Sequence, residues 1–241
     1  MRYSDATAFR QALEHRLKAR ANGGGAGLAR DRKRVAFDRL LARLLSVAPR
    51  QWLLKGGFAL DLRLVDRARA TKDIDIDWQA DGDTLVEALI DAGETLTTTD
   101  LLTFAGIPPV EVRALQLEYQ VAEKVHAYTR VYAGNQPSSR AKDLVDIALI
   151  AKLEHLDGQR LHDAITTTFN YRNTHAVPST IPTPPSEWTV PYRQLAGAVG
   201  IPPQLAAGHR AAAALLDPIL GGRATGTWDP VRRRWTVEPS N

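Results

Sequence analysis

Phe9, Leu13 and Leu17 recur at helical spacing behind Ser4, a residue type that caps helix N-termini, and predict a helix over the first ~20 residues. The glycines of Asn22–Gly27 read as a flexible break. Phe37, Leu40, Leu41, Leu44 and Leu45 then share the inner face of a second helix ending near Pro49. A short buried strand, Trp52–Leu54, runs into Gly56 and Gly57, and Phe58–Leu64 reads as a short helix. Alternation over Thr71–Trp78 predicts a strand, Asp81–Gly82 turns the chain, and Thr84–Ala92 is a helix stopped by Gly93. Between 94 and 116 the pattern weakens, with Leu101–Phe104 and Val110–Leu115 as the pieces that read as strands.

From Leu117 the helical period returns: Leu117, Val121, Val125, Tyr128 and Tyr132 form one stripe. After a loop at Asn135–Ser139, a strong helix covers about Arg140–Leu156 and stops at Asp157–Gly158. Further helices are predicted near Arg160–Phe169, Glu187–Val199 and Gln204–Leu220. Ala176–Pro185, between the first two of these, is Pro-rich, extended and wrapped on the surface. The tail around Asp229–Pro230 is expected to close as a small hairpin. There is no internal repeat, and the pattern sums to an α+β fold: a mixed part over 1–116 and a mostly helical part over 117–241.

The strand at Thr71–Trp78 carries Asp73, Asp75 and Asp77 at every second position, with Ile74 and Ile76 between them. Residues two apart on a strand share a face, roughly 6.6–6.8 Å apart. Three carboxylates in such a row repel one another unless a cation sits among them. A solvent-facing edge would more naturally alternate Thr, Lys and Glu, since Asp is disfavoured in strands. The pattern therefore points to a divalent ion, and Mg²⁺ takes a few carboxylates together with substrate phosphates and water. Gly56-Gly57 after a strand suits a tight turn or a close approach of backbone N–H groups to phosphate, although no Walker-type lysine follows.

Composition narrows the class. The 241 residues are 44% hydrophobic and 24% charged, as in a globular domain, and the absence of cysteine excludes disulfides and thiolate-bound metals. No apolar run approaches the ~20 residues of a membrane span, and the charged N-terminus has no signal core, so a soluble cytoplasmic protein is expected. Of the net charge of +4, residues 1–50 hold twelve Arg/Lys against four Asp/Glu, which is +8 and leaves −4 for the rest. Arg30, Arg32, Lys33 and Arg34 are the densest run, either a solvated helix face or a surface that gathers a phosphate-rich polymer.

Lys124 borders the apolar stripe of its helix, where an ammonium reaches a cleft or a solvated flank; His126 reads as a packing or hydrogen-bonding residue. In KDLVDIALIAKL, Asp143 and Asp146 share a helix face, and Asp146 lies among Val145, Ile147, Ala148 and Ile150. An acid so surrounded is either functional or paired with Lys124, Arg140 or Lys142.

Two glycines, a spacer of about fifteen residues and D-x-D resemble the nucleotidyltransferase superfamily related to DNA polymerase β. The blocks KGGFALDLR, RATKDIDID, AEKVHAYTR and SRAKDLVDIAL, in that order over roughly Arg32–Leu156, resemble the AbiEii/AbiGii (MenT-like) toxin family. The resemblance implies a small mixed-sheet nucleotidyltransferase core with flanking helices, and a helical C-terminal region completing the active-site cleft. It implies Mg²⁺ at Asp73 and Asp75 supported by Asp77, and catalytic roles for Asp73, Asp75, Lys124 and Asp146. Gly56, Gly57, Thr71, Lys124 and Asp143 would meet the nucleotide. The acceptor would be an RNA 3′ end, in this family the tRNA acceptor stem, with Arg30, Arg32, Lys33 and Arg34 facing the RNA and a cognate antitoxin as partner. The pattern departs at the third carboxylate that such sites place on a later strand. Over 93–120 only Asp100 and Glu111 are available, so Asp77 or Asp146 substitutes, or the strand has been lost and activity with it.

Overall fold

The computed structural model describes all residues except 1, 2, 4, 81, 82, 131–139, 224, 225 and 237–241. They form two compact units, one of residues 1–66 and 70–115, the other of 67–69 and 116–241. Together they give the expected α+β class, with a mixed four-stranded sheet in the first unit.

In the first unit, α1 (Ala6–Arg20) begins at Asp5, whose carboxylate accepts from the Thr7 and Ala8 N–H groups. Ser4, the expected cap, lies outside the described residues. The expected break is shorter than six residues: left-handed backbone at Asn22 and Gly23 reverses the chain, and α2 (Gly25–Val47) starts among the remaining glycines. The tip of α1 is seated by Phe9, which stacks on Phe104 with ring centroids 6.1 Å apart. Phe104 belongs to a short 3₁₀ turn over Thr103–Ala105, not to a strand as Leu101–Phe104 had suggested.

The sheet is built from β1 (Trp52–Lys55), β2 (Asp75–Trp78), β3 (Glu94–Thr97) and β4 (Glu111–Ala114), in the order β2-β1-β4-β3. β1 runs antiparallel to β2 and parallel to β4, and β3 closes the far edge antiparallel to β4. The ladder from Trp52↔Trp78 to Lys55↔Asp75 explains why β2 is only half the predicted Thr71–Trp78. Beyond Lys55 the partner chain turns into α3 (Gly56–Leu64), so Asp73 has nothing left to pair with. β3 escaped the sequence reading because Glu94-Thr95-Leu96-Thr97 carries a single strong apolar residue. The core gathers Leu41, Trp52, Leu54, Phe58 and Val112, with Phe37, Ile74 and Ile76 packed on it. Both isoleucines of the aspartate stretch thus face inward, as their alternation required. α4 (Thr84–Ala92) has the predicted bounds, but its capping Gly93 is extended (φ −58°, ψ 148°), without the left-handed turn a glycine stop usually provides. The turn expected at Asp81–Gly82 lies outside the described residues.

The second unit is helical: α5 (Leu117–Thr129), α6 (Ala141–Leu153), α7 (Gly158–Arg172), α8 (Thr189–Ala198) and α9 (Leu205–Leu220). α6 is buried on every side from Asp143 to Ala151 and packs against α5, α8 and α9. It ends at Leu153, three residues before the predicted stop, because Leu156 is taken up by a different partner. β5 (Leu156–Asp157) pairs with β6 (Thr227–Asp229), and β6 with β7 (Arg234–Thr236), so the predicted terminal hairpin becomes a three-stranded sheet. Trp228 anchors it, buried and donating its indole N–H to the Ala151 carbonyl at 2.8 Å. Asp157 caps α7 by accepting from the Arg160 N–H. Over Ala176–Pro185 no regular element forms; Ile181 N–H donates to Asp217 of α9, and the Pro182 carbonyl accepts from Tyr128 of α5. Tyr132 and the Asn135–Ser139 loop lie outside the described residues.

Candidate active site

Gly56 opens α3 at φ +68°, a left-handed conformation that a side chain strains. Space forbids one too: a Cβ there would stand 2.1 Å from Asp75 Oδ2. The Asp75 carboxylate therefore lies against the start of α3, where unpaired N–H groups and the helix dipole favour negative charge. No side chain caps that end. Gly57 follows in the first turn of α3.

Along the rest of the aspartate stretch the three acids part company. Asp77, on the face of Asp75, forms an ion pair with Lys55 Nζ at 2.5 Å. Lys55 precedes the double glycine and faces the strand diagonally, so the cation required by the row is supplied in part by the protein; the sequence reading passed over it. Asp73 is exposed, outside the ladder, and its backbone carbonyl accepts from the Thr71 hydroxyl at 3.0 Å. Thr71 is in turn tied down by Lys33, whose ammonium donates to its carbonyl at 3.3 Å. Among the described residues no ion pair or hydrogen bond engages the carboxylates of Asp73 or Asp75, and no group of three potential ligands is placed to hold a metal. Two exposed acids, one of them seated where glycine leaves a cradle, fit Mg²⁺, which binds through one or two carboxylates plus phosphates and water.

The third-carboxylate question has a topological answer within this unit. Glu111 lies on β4, which β1 separates from β2, and it pairs with Thr97 on the far side. Asp100 sits in the turn before Thr103. Neither acid stands beside Asp75.

The basic run of α2 divides between the interior and the surface. Arg34 is 2% exposed and bonded through its guanidinium to Asp61, Asp31 and Asp66. Burial opposes its charge, but Asp61 and Asp66 more than restore it and raise its pKa further. Arg30 joins Arg34 on Asp61 and on the Val65 carbonyl. Two of the four cations are thus drawn inward by acids at the end of α3, an arrangement no spacing rule displays. Arg32 stays on the surface, paired with Glu14, and Lys33 is the half-buried contact to Thr71.

In the second unit Lys124 on α5 and Asp146 on α6 meet at 2.7 Å, both buried. Arg69 completes a bidentate clamp on the same carboxylate, Nε to Oδ1 and Nη2 to Oδ2, each 2.9 Å. Asp143 lies 3.7 Å from Lys124 and 3.2 Å from Arg140. Arg69, Asp146, Lys124, Asp143 and Arg140 thus alternate in sign and sum to one positive charge. Burial pushes Asp146 up, yet Lys124 and Arg69 outweigh it and hold the carboxyl below its usual range. Burial likewise pulls Lys124 down, and Asp146 with Asp143 overcomes it and raises the ammonium's pKa. Lys124 and Asp146 thus each favour the charged form of the other. Of the partners weighed for Asp146, Lys124 is present; Arg69 was missed, since nothing local links it to a residue 77 positions away. His126 is a packing residue with a hydrogen bond, 2.8 Å from Thr174 Oγ1 and edge-on to Phe169.

A mixed sheet with glycines after its first strand and an aspartate strand beside it is consistent with the nucleotidyltransferase fold class. Residues 39–105 and 87–218 match the family model described as the nucleotidyl transferase AbiEii toxin of type IV toxin–antitoxin systems. The chain belongs to that AbiEii family. No curated protein matches it.

Proposed function

We propose that the protein transfers nucleotide from a nucleoside triphosphate to an RNA 3′ end, the tRNA acceptor stem being the target, and so blocks translation in the cytoplasm. The observation that carries this reading is the Asp75 carboxylate lying against Gly56 at the start of α3. Asp73 and Asp75 hold Mg²⁺, with Asp77 in support through Lys55. A divalent ion held there supplies charge to the triphosphate and activates the attacking hydroxyl. The first-turn N–H groups of Gly56 and Gly57 meet phosphate oxygens, and Thr71 stands near the triphosphate. Lys124, kept protonated by Asp146 and Asp143 within the second unit, has the catalytic role that the family resemblance gives it. Arg32 and Lys33 remain as the RNA-side cations of the basic run. The family also implies an antitoxin partner.

The inward turn of Arg30 and Arg34 shrinks the basic surface and favours a second reading, transfer to a protein or small-molecule hydroxyl. That neither Asp100 nor Glu111 stands beside Asp75 favours a catalytically impaired relative that only binds. Incubation with Mg²⁺, each α-phosphate-labelled nucleoside triphosphate and total tRNA separates the three. Labelled tRNA that disappears with Asp75→Asn and with Lys124→Ala is the expected result. Label on protein or a small acceptor selects the second reading, and none anywhere selects the third.

A further inference from the structure

We propose that the second unit carries a separate binding site for a small organic anion with an apolar body, in a cavity of about 420 Å³ walled by α6, α8, α9 and the terminal hairpin. Its size is within the range of small-molecule sites, which are mostly apolar with a few placed polar groups. The wall is built of short side chains on α6 and α9 together with Tyr192, Ile201, Pro202 and Trp228. Tyr192 is fully buried, its ring pressed on Gly208, where a Cβ would stand 2.1 Å from the hydroxyl. Among the described residues that hydroxyl has no hydrogen-bond partner, and it is closed off against Gly208, so the ring and not the hydroxyl forms the wall.

The rim gives the sign of the charge. Among the described residues Lys152, Arg210 and Arg233 line the cavity and no acidic residue does. Lys152 spends one donor on the Gly200 carbonyl at 2.8 Å. Arg210 and Arg233 are exposed, and among the described residues no ion pair engages either. Two guanidinium groups at the mouth of an apolar slot match a carboxylate, sulfonate or phosphate on an otherwise apolar molecule. Nothing in the nucleotidyl-transfer reading uses these residues.

The probe is 8-anilinonaphthalene-1-sulfonate, a flat aromatic monoanion, titrated by fluorescence into the whole folded protein beside its uncharged relative N-phenyl-1-naphthylamine. One saturable site per chain is expected for the anion. Arg210→Glu with Arg233→Glu should weaken it by about tenfold or more without altering the neutral probe. Ala211→Trp, which fills the slot, should abolish both. Circular dichroism and melting report whether each variant is folded, and the exposed charge pair keeps the question answerable if Ala211→Trp is not. Absence of saturable binding, or binding that neither variant alters, overturns the proposal. So does anion binding that the filled variant removes but the reversed charges leave unchanged, since the slot would then not select an anion.

Discussion

Val65 is a β-branched residue at φ +55°, a conformation glycine adopts freely and valine does not. It is exposed, so packing does not compel it; its carbonyl is held by Arg30 and Arg34. The strain belongs to the class worth about 1–3 kcal/mol, and Val65→Gly is expected to raise stability by about 1 kcal/mol in urea unfolding. A second residue-scale effect concerns protons. Burial, with the charges of His175, Arg172 and Arg130, lowers His126 to about 4, below the ~6.5 of an unfolded histidine. Between those values the unfolded chain binds more protons, so this contribution to stability is complete above pH 6.5 and is lost as pH falls toward 4. Unfolding free energies measured from pH 7.5 to 4.5 should fall on that limb, and His126→Gln, which keeps a polar partner for Thr174, should flatten it.

Among the elements, the terminal hairpin depends most on one side chain. Trp228 buries its ring and reaches the Ala151 carbonyl on α6, so the strand it occupies is docked rather than free-standing. Trp228→Ala should cost about 3–5 kcal/mol by calorimetry or denaturant titration, whereas Val231→Ala in the exposed turn should be neutral within about 0.5 kcal/mol. The same element shows what could be read from the chain. The turn residues Asp229-Pro230 made the hairpin legible, as the 3.6-residue stripe did for α5. The third strand was not, because Leu156-Asp157 looks like the end of a helix until something pairs with it. β3 was hidden for a related reason: a four-residue polar strand is stabilised by its neighbour and not by its own pattern. Of the candidate site, the glycine pair and the aspartate row were visible as periodicity. Lys55 on Asp77 and Arg69 on Asp146 were not, since ion pairs across the fold leave no mark on local spacing.

For the whole molecule, the surplus of positive charge near the N-terminus overstates the surface available to a polyanion. Arg34 neutralises acids inside the first unit, so Arg34→Gln should act on stability, by about 3 kcal/mol, by stranding Asp61 with a single remaining arginine. On the proposed RNA reading, the slope of log affinity for RNA against log salt should be unchanged in that variant and shallower by about one in Lys33→Gln, measured by fluorescence anisotropy. The path of the backbone has a further consequence. Residues 67–69 belong to the second unit although 70–115 return to the first, and Arg69 clamps an aspartate made 77 residues later. A fragment beginning at Gln116 would carry Lys124 and Asp146 but lack the clamp. Recombination between relatives meets the same constraint: any single crossover from residue 70 to 145 joins an arginine from one parent to an aspartate from the other. Such chimaeras keep the Arg69–Asp146 clamp only if both parents wrote the same pair, so that stretch of the gene has no seam where its two sides could be exchanged freely.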